Sequence, residues 1–201
     1  MANLFQKLEQ EAFRAGITPR TKESVKWFKN RISSIRGVNR RSLMREDPIE
    51  TTGQVIVNNQ FIGTMMMYFY DPKHKQTLPY YDRFPLVIVV GRAEGGFYGL
   101  NLHYLPITLR AKFLDSLLEF TTNKRFDEST KFRTRYNFLQ RTSKLKYFRP
   151  CLKHYLTKNI KGRVAIVQAP EWEIATFLPT QDFRKSSQNS VWSDSRKIIS
   201  G

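Results

Sequence analysis

The sequence predicts an α+β protein: a small antiparallel β sheet or barrel flanked by helices, with extended N- and C-terminal arms. Three observations predict this class. Apolar residues recur at helical spacing near the start of the chain and again after residue 106. Between residues 54 and 104, short β-branched and aromatic runs are separated by turns, with no helix-length segment among them. Strands this close in sequence pair antiparallel, whereas a parallel sheet needs a long crossover between strands.

The composition fits one compact domain with a strongly basic surface. The chain has 201 residues, of which 40% are hydrophobic and 13% aromatic, and its formal net charge is +17. Such a surface attracts polyanions, for example nucleic acid or acidic protein. The single cysteine, Cys151, excludes a disulfide within the chain. No apolar run is long enough to cross a bilayer, so we expect no membrane partner.

Two helices are predicted at the start of the chain. Residues 2–15 carry an apolar stripe at helical spacing, and Gly16 ends it. Thr21 and Ser24 are candidate N-caps of a second helix. The arginine-rich segment 36–45 is predicted as a basic linker or a short turn. The stripe positions are Leu4, Phe5, Leu8, Ala12 and Phe13 in the first helix, and Val25, Phe28 and Ile32 in the second.

The predicted strands are β-branched and aromatic runs bounded by turn residues. A hairpin is expected where Gln54–Val57 and Phe61 flank an Asn-Asn pair. Gly95, Gly96 and Gly99 are predicted to form a hairpin turn, because a phosphate-binding loop would be followed by a helix and these glycines lead into a strand. The other predicted strands are Thr64–Tyr70, Phe84–Val90, Phe97–Leu102 and the late Arg163–Gln168.

Helices are predicted again in the second half of the chain. One follows Pro106, a second covers 130–147, a short third covers 151–157, and a fourth covers Glu171–Leu178 between two prolines. The tail beyond them is polar and rich in serine. We expect it to be mobile unless a partner holds it.

The chain divides by prediction into three parts. Residues 1–50 are an N-terminal helical arm and basic linker, 51–180 an α+β core domain, and 181–201 a C-terminal clasping arm. The apolar residues of this last arm are predicted to anchor a neighbouring protein, the alternative being that they pack on the chain's own core. These anchors are Val191, Trp192, Ile198 and Ile199.

The sequence offers little for catalysis or metal binding. His74, His103 and His154 lie far apart, and His103 is expected at the sheet edge, bonded to backbone carbonyls. Cys151 and His154 could share a helical face as nucleophile and base, but nothing nearby supplies an oxyanion hole or an orienting acid. A nuclease would need convergent acidic residues for its metal, and no such motif is present. We therefore predict no enzyme activity, no metal and no cofactor.

The most informative signal is a basic stretch between residues 124 and 163. It holds thirteen Lys and Arg residues against Asp127 and Glu128. On a helix these cations repel one another unless a polyanion neutralises them, although a solvated surface is the alternative. The predicted polyanion-binding residues are Lys131, Arg133, Arg135, Arg141, Lys144 and Lys146. Interleaved rings that suit base stacking or a protein interface are Tyr136, Tyr147, Phe148 and Tyr155.

Six stretches in a fixed order carry a family resemblance. They are ITPRTKESVKWF, NRRSLMRED, GTMMMYFYDPKHKQTLPYYDRFPLVIVV, GGFYGLNLHYLPITLRAKFLDSL, KYFRPCLKHYL and SSQNSVWSDSRKI. Over nearly its whole length the chain resembles small virion structural proteins of contractile-tailed bacteriophages, and the third and fourth stretches are the most specific. The resemblance implies a place in the virion after assembly in the host cytoplasm. It implies no catalytic residues.

Charge and resemblance together favour a non-enzymatic structural component of a tailed-phage virion. The leading expectation is a tail or baseplate protein that holds neighbouring subunits through its basic surface and extended termini. The alternative is a DNA-binding neck or genome-end protein at the head–tail junction. Other virion proteins are the expected partners, with DNA in the alternative, and DNA binding would weaken steeply with salt.

Overall fold

A computed structural model describes residues 4–44, 61–122, Asn137, Arg141 and 146–201. Six α-helices and seven β-strands are defined within these residues. The helices are Leu4–Arg14 (α1), Lys22–Ile32 (α2), Arg40–Leu43 (α3), Ile107–Thr122 (α4), Trp172–Phe177 (α5) and Gln188–Ser200 (α6). The strands are Met65–Tyr70 (β1), Tyr81–Asp82 (β2), Leu86–Ala93 (β3), Gly96–Asn101 (β4), Leu152–Leu156 (β5), Ile160–Val167 (β6) and Phe183–Arg184 (β7). The predicted α+β class is confirmed.

Five strands form one antiparallel sheet in the order β5-β4-β3-β1-β6. The hairpin of β3 and β4 turns at Gly95, whose φ of +65° is readily adopted only by glycine, so the predicted hairpin turn is confirmed. β5 then packs very closely on β4: a Cβ atom at Gly96 would lie 1.8 Å from the carbonyl oxygen of Tyr155. Strands β2 and β7 form a separate pair.

The sheet separates two apolar clusters, because alternate residues of a strand face opposite sides. In β1, Met65 and Met67 belong to one cluster while Met66 and Tyr68 belong to the other. The larger cluster lies under the helices and includes Phe5 of α1, Phe28 of α2, Leu114 of α4 and Ile174 of α5. The smaller cluster is rich in rings and includes Tyr68, Tyr70, Phe97 and Tyr155.

Helix α2 begins at the predicted cap. The Thr21 hydroxyl accepts a hydrogen bond from the Ser24 backbone N–H at 3.1 Å, and the Ser24 hydroxyl accepts one from the Thr21 N–H at 2.9 Å. The buried Ser24 hydroxyl also donates to Glu173 of α5. Burial raises the pKa of Glu173, and the contact links the N-terminal helices to the body of the protein.

Most other local predictions are confirmed. Strands occupy the four predicted runs at 64–70, 84–90, 97–102 and 163–168, with ends shifted by a few residues. The hairpin expected at 54–61 and the helix expected at 130–147 lie outside the described residues, except for residues 61, 137, 141, 146 and 147. The division of the chain near residues 50 and 180 stays a prediction.

The helix predicted over 151–157 is wrong, because Leu152–Leu156 form strand β5. The pairing of β5 with β4 supplies its hydrogen bonds, with Tyr155 opposite Phe97 and His154 opposite Tyr98. A five-residue edge strand such as this is specified by a partner distant in the chain rather than by its own pattern.

The serine-rich tail, expected to be mobile, is a helix that packs on the body. The Ser187 hydroxyl caps it by accepting a hydrogen bond from the Ser190 N–H at 3.2 Å. Val191 is completely buried, and one turn later the buried Ser195 hydroxyl donates to the Val191 carbonyl at 2.9 Å. None of the described helices combines the length and apolar character needed to span a membrane.

Candidate nucleic-acid interface

A buried polar cluster joins strand β2, the segment after β4 and the segment before β7. Asp82 Oδ2 lies 2.6 Å from His103 Nδ1, and His103 Nε2 lies 3.0 Å from the Thr180 hydroxyl. Asn101 donates to Asp82 Oδ2 and to the Tyr155 hydroxyl, both at 3.1 Å. Asp82 Oδ1 accepts two backbone N–H groups, from Phe84 and Asp182. The cluster therefore fixes three separate segments of chain around one carboxylate.

Burial and hydrogen bonding set the charges of this cluster. Burial acts to raise the pKa of Asp82, but its interactions with His103, Asp182 and Asn101 outweigh burial and lower that pKa. Burial lowers the pKa of His103 despite the opposing effect of Asp82. Near pH 7 we therefore assign an ionised Asp82 and a neutral His103 that donates from Nδ1 and accepts from the Thr180 hydroxyl at Nε2.

The Asp–His–Thr geometry is that of a catalytic triad, but its burial excludes that role. His103 and Thr180 have no exposed surface, so no substrate can reach the hydroxyl. The cluster is structural. The expectation that His103 bonds backbone carbonyls at the sheet edge is wrong, because the residue is fully buried and its ring nitrogens contact the side chains of Asp82 and Thr180.

Arg110 lies behind the cluster and is almost wholly buried. Its guanidinium donates to three backbone carbonyls, those of Leu105, His103 and Thr176. Burial lowers its pKa to about 9, which still leaves it charged at neutral pH. The guanidinium carbon lies 5.5 Å from the centre of the Trp192 ring, and the Trp192 indole N–H donates to the His103 carbonyl at 2.9 Å. Helix α6 thus covers the polar cluster.

A cavity of about 460 Å³, here called the tyrosine pocket, opens beside Asp82. Its walls come from the end of β1 and the loop after it, from β2, from the segment after β4 and from β5. Tyr80 and Tyr104 lie with ring centres 6.0 Å apart, and Tyr70 and Tyr155 with centres 4.9 Å apart. The residues that line it are Tyr70, Pro72, Lys73, His74, Leu78, Tyr80, Tyr81, Asp82, Tyr104, Lys153, His154, Tyr155 and Leu156.

Among the described residues that line the tyrosine pocket, Lys153 is the one cation that is partly buried. Its ammonium lies 4.2 Å from the centre of the Tyr104 ring. Burial lowers the pKa of Lys153, and no carboxylate of the described residues lies within ion-pairing distance of it. An anion in the pocket would supply the missing negative charge.

A second hollow, here called the basic groove, has a volume of about 640 Å³ and shares Tyr70 with the tyrosine pocket. Arg40 is held in its wall by hydrogen bonds to the carbonyls of Thr180 and Gln181, at 2.7 and 2.6 Å. Arg83 pairs with Asp182 at 3.0 Å. The residues that line it are Val38, Asn39, Arg40, Arg41, Phe69, Tyr70, Asp71, Arg83, Lys161 and Asp182.

Two further cations of the basic groove are free of ion pairs within the described parts of the chain. Arg41 and Lys161 are exposed, and neither forms an ion pair with a described carboxylate. Exposed, unpaired cations in a concave surface are well placed for the phosphates of a nucleic acid.

The predicted polyanion ridge lies mostly outside the described residues. Only Arg141 and Lys146 of that set are described; both are exposed, and neither lines the tyrosine pocket or the basic groove. The role of the ridge stays a prediction, as it does for Lys131, Arg133, Arg135 and Lys144.

The four residues predicted to anchor a partner differ in how far they are buried in the chain's own fold. Val191 and Trp192 contact the chain's own core and polar cluster, which is the alternative that the sequence left open. Ile199 packs partly against the same core, whereas Ile198 is 43% exposed. Anchoring of a neighbouring protein by this helix stays a prediction.

Cys151 and His154 do not form a nucleophile and base. His154 lies in strand β5 and Cys151 in the turn just before it, so the two do not share a helical face, and His154 Nε2 contacts the Glu94 carbonyl at 3.0 Å. Cys151 is fully buried, which raises the pKa of its thiol to about 12 and keeps it protonated. Within the described ranges, no group of three or more His, Cys, Asp or Glu residues is placed to hold a metal ion.

Comparison with known families decides the context of these features. The sequence profile of the phage T4 terminal DNA protecting protein family matches residues 1–199. The chain belongs to this family. The resemblance to phage proteins is thereby confirmed at the level of a bacteriophage family. No curated protein and no solved structure gives a significant match to the chain.

Membership in the terminal DNA protecting protein family bears on the two functions that the sequence suggests. It supports the alternative, a genome-end protein that acts with DNA, better than the tail or baseplate role.

Sequence reasoning missed most residues of the two hollows. The tyrosines of the pocket come from four separate segments, and only Tyr155 was singled out. The signal in the sequence that could have marked the tyrosine pocket is the Tyr-Tyr pair at 80 and 81, close to a basic residue at 83. Arg40 and Arg41 of the groove belong to the arginine-rich segment 36–45, whereas Arg83 and Lys161 are single residues far from it in sequence, so no local pattern joins the four cations.

Proposed function

We propose that this protein binds the ends of linear double-stranded DNA and shields them from end-directed nucleases without cleaving the DNA. The observation that carries the proposal is the family match over residues 1–199. The net charge of +17 and the unpaired cations of the basic groove support it independently.

The contact with DNA would be mainly electrostatic. Arg41 and Lys161 stand unpaired and exposed in the basic groove, while Arg40 is fixed by two carbonyls. Fixed cations contact phosphates with little loss of side-chain freedom, and each released counterion adds to the affinity. Such contacts read the backbone and not the base sequence, which suits a protein that has to act on any terminus.

Protection needs no chemistry from the protein. An exonuclease has to engage a free terminus, so a tightly bound protein at that terminus blocks it by occupancy alone. The buried state of the Asp82–His103–Thr180 cluster and of Cys151 is consistent with this passive mechanism. We place the protein in the virion with the packaged genome, near the head–tail junction, and expect contacts with other virion proteins there.

A competition between DNA forms tests the proposal. Labelled short linear duplex is bound by the protein and then challenged with unlabelled linear DNA or with covalently closed circular DNA of the same sequence. We expect the linear competitor to be more effective per base pair, and increasingly so as it is cut into shorter fragments. Equal competition by both forms would show a general duplex-binding protein instead.

The salt dependence of binding provides the internal control of this experiment. A protein that contacts 6 to 10 phosphates loses roughly 10³- to 10⁵-fold in affinity between 50 and 200 mM salt. The preference for ends should persist at both salt concentrations, because it depends on the terminus and not on the number of phosphates.

A further inference from the structure

We infer that the tyrosine pocket holds one unpaired nucleotide at the end of the DNA, with its base against the tyrosines and its phosphate beside Lys153. The inference rests on the proposed function and adds the site that distinguishes an end from internal duplex.

The size and lining of the tyrosine pocket suit a nucleotide. Its volume of about 460 Å³ lies within the range of small-ligand sites. Tyr80 and Tyr81 are only partly buried and so leave ring surface open to the cavity. Tyr80 and Tyr104 are inclined to each other by 37°. Aromatic faces of this kind stack on any base, which gives affinity without sequence preference.

The charges around the pocket suit a phosphate. The Lys153 ammonium is held 4.2 Å from the Tyr104 ring with no ion pair to a described carboxylate. A second cation, Lys73, is exposed at the same cavity. Asp82 is the one acid among the described residues of the lining, and its side chain is 1% exposed and already occupied by hydrogen bonds. Among the described residues of the lining, a phosphate would therefore meet Lys153 and Lys73 and no open carboxylate. Outside the lining, Asp194 is partly exposed, and after burial its charge is the second cause that raises the pKa of Tyr80, so the phosphate is expected on the Lys153 side of the pocket.

The position of the pocket suits a DNA terminus. It adjoins the basic groove at Tyr70, so a strand whose phosphates lie in the groove can reach it with its last nucleotide. A base inside a duplex must unpair and unstack before it can enter a pocket, whereas an already unpaired base enters at little cost. The pocket thus favours ends for a physical reason that does not depend on sequence.

The test uses hairpin DNA of one duplex sequence in two forms. One form is a closed dumbbell, and the other has a single open end with one unpaired nucleotide. We expect the wild-type protein to bind the open form more tightly. Tyr80→Ala and Lys153→Gln should each weaken open-end binding by about 5- to 150-fold while leaving dumbbell binding unchanged.

Matched variants control for charge, aromaticity and folding. Lys158→Gln removes an exposed cation outside both hollows, and Phe13→Ala removes a ring that is 85% exposed on α1. Both should bind the open form as the wild type does. Tyr80→Phe and Lys153→Arg keep the ring or the charge and should restore most of the preference. Thermal unfolding of every variant verifies that it is folded.

A photoreactive 5-iodouracil as the unpaired nucleotide gives a direct readout. We expect crosslinks to pocket tyrosines, located by mass spectrometry. The inference is overturned when the pocket variants keep the full preference for the open form, or when crosslinks map elsewhere. That result leaves end binding intact, whereas a wild-type protein with no preference for open ends contradicts the proposed function itself.

Discussion

At the scale of single residues, the pair of Asp82 and His103 determines how the site is built and how its stability depends on pH. Both groups have pKa values lowered in the folded protein. A neutral native histidine stabilises the fold above the pKa of its unfolded form, about 6.5, and that contribution falls as the pH drops below it. The contribution of Asp82 is lost only at lower pH, below the ordinary range of a carboxyl group.

We predict that the free energy of unfolding falls between pH 7 and 5, by up to about 1.4 kcal/mol per pH unit from His103. His103→Gln should remove the contribution of His103 to the slope of unfolding free energy against pH, whatever the effect of the substitution on absolute stability. Urea unfolding at a series of pH values measures this slope for the wild type and the variant. Val191→Ala, which lowers stability without removing a titratable group, is the control and should keep the wild-type slope. Parallel pH profiles for wild type and His103→Gln would contradict the assigned charges.

At the scale of elements, the C-terminal segment belongs to the fold because it forms helix α6, which packs on the rest of the protein. The sequence suggests a polar tail, yet the helix contributes the Trp192 N–H to the His103 carbonyl and its ring to Arg110. The helix therefore covers the buried polar cluster, of which Asp82 and Tyr155 also line the tyrosine pocket.

Trp192→Phe should destabilise the isolated protein by about 1–2 kcal/mol, through loss of one hydrogen bond and of a stronger cation–π contact. Ile198→Ala, at a position that is 43% exposed, should change stability by less than about 0.5 kcal/mol. Chemical denaturation of the purified chain measures both variants. If Trp192 served only to anchor a neighbouring protein, its replacement would leave the isolated chain as stable as wild type.

Elements whose signals are local were predictable from sequence, and those that depend on distant partners were not. The cap of α2 depends on Thr21 and Ser24, three residues apart, and was found. Strand β5 depends on β4, more than 50 residues earlier, and was missed. The tail helix was missed because one buried valine, Val191, and one tryptophan, Trp192, are too few to mark an apolar stripe in sequence.

At the scale of the whole molecule, the fold brings residues that are scattered along the sequence together in the tyrosine pocket and the basic groove. The tyrosines at 70, 80, 104 and 155 come from four separate segments of the chain and meet only in the fold, where they line one cavity. The basic charge was evident from composition, but its distribution over the surface depends on this topology. The sequence therefore predicted a polyanion partner, whereas the two hollows that could receive it appear only in the folded chain.

Exonuclease protection is the most direct test of the central claim. A linear duplex is incubated with an end-dependent exonuclease, with and without saturating protein, and the remaining full-length DNA is followed over time. We expect wild type to preserve the DNA, and the double variant Arg41→Gln, Lys161→Gln to preserve less at equal concentration. The double variant Lys26→Gln, Lys29→Gln, which removes two exposed charges from α2 outside the groove, should protect as wild type does. Digestion at the same rate with and without saturating wild-type protein would contradict the account.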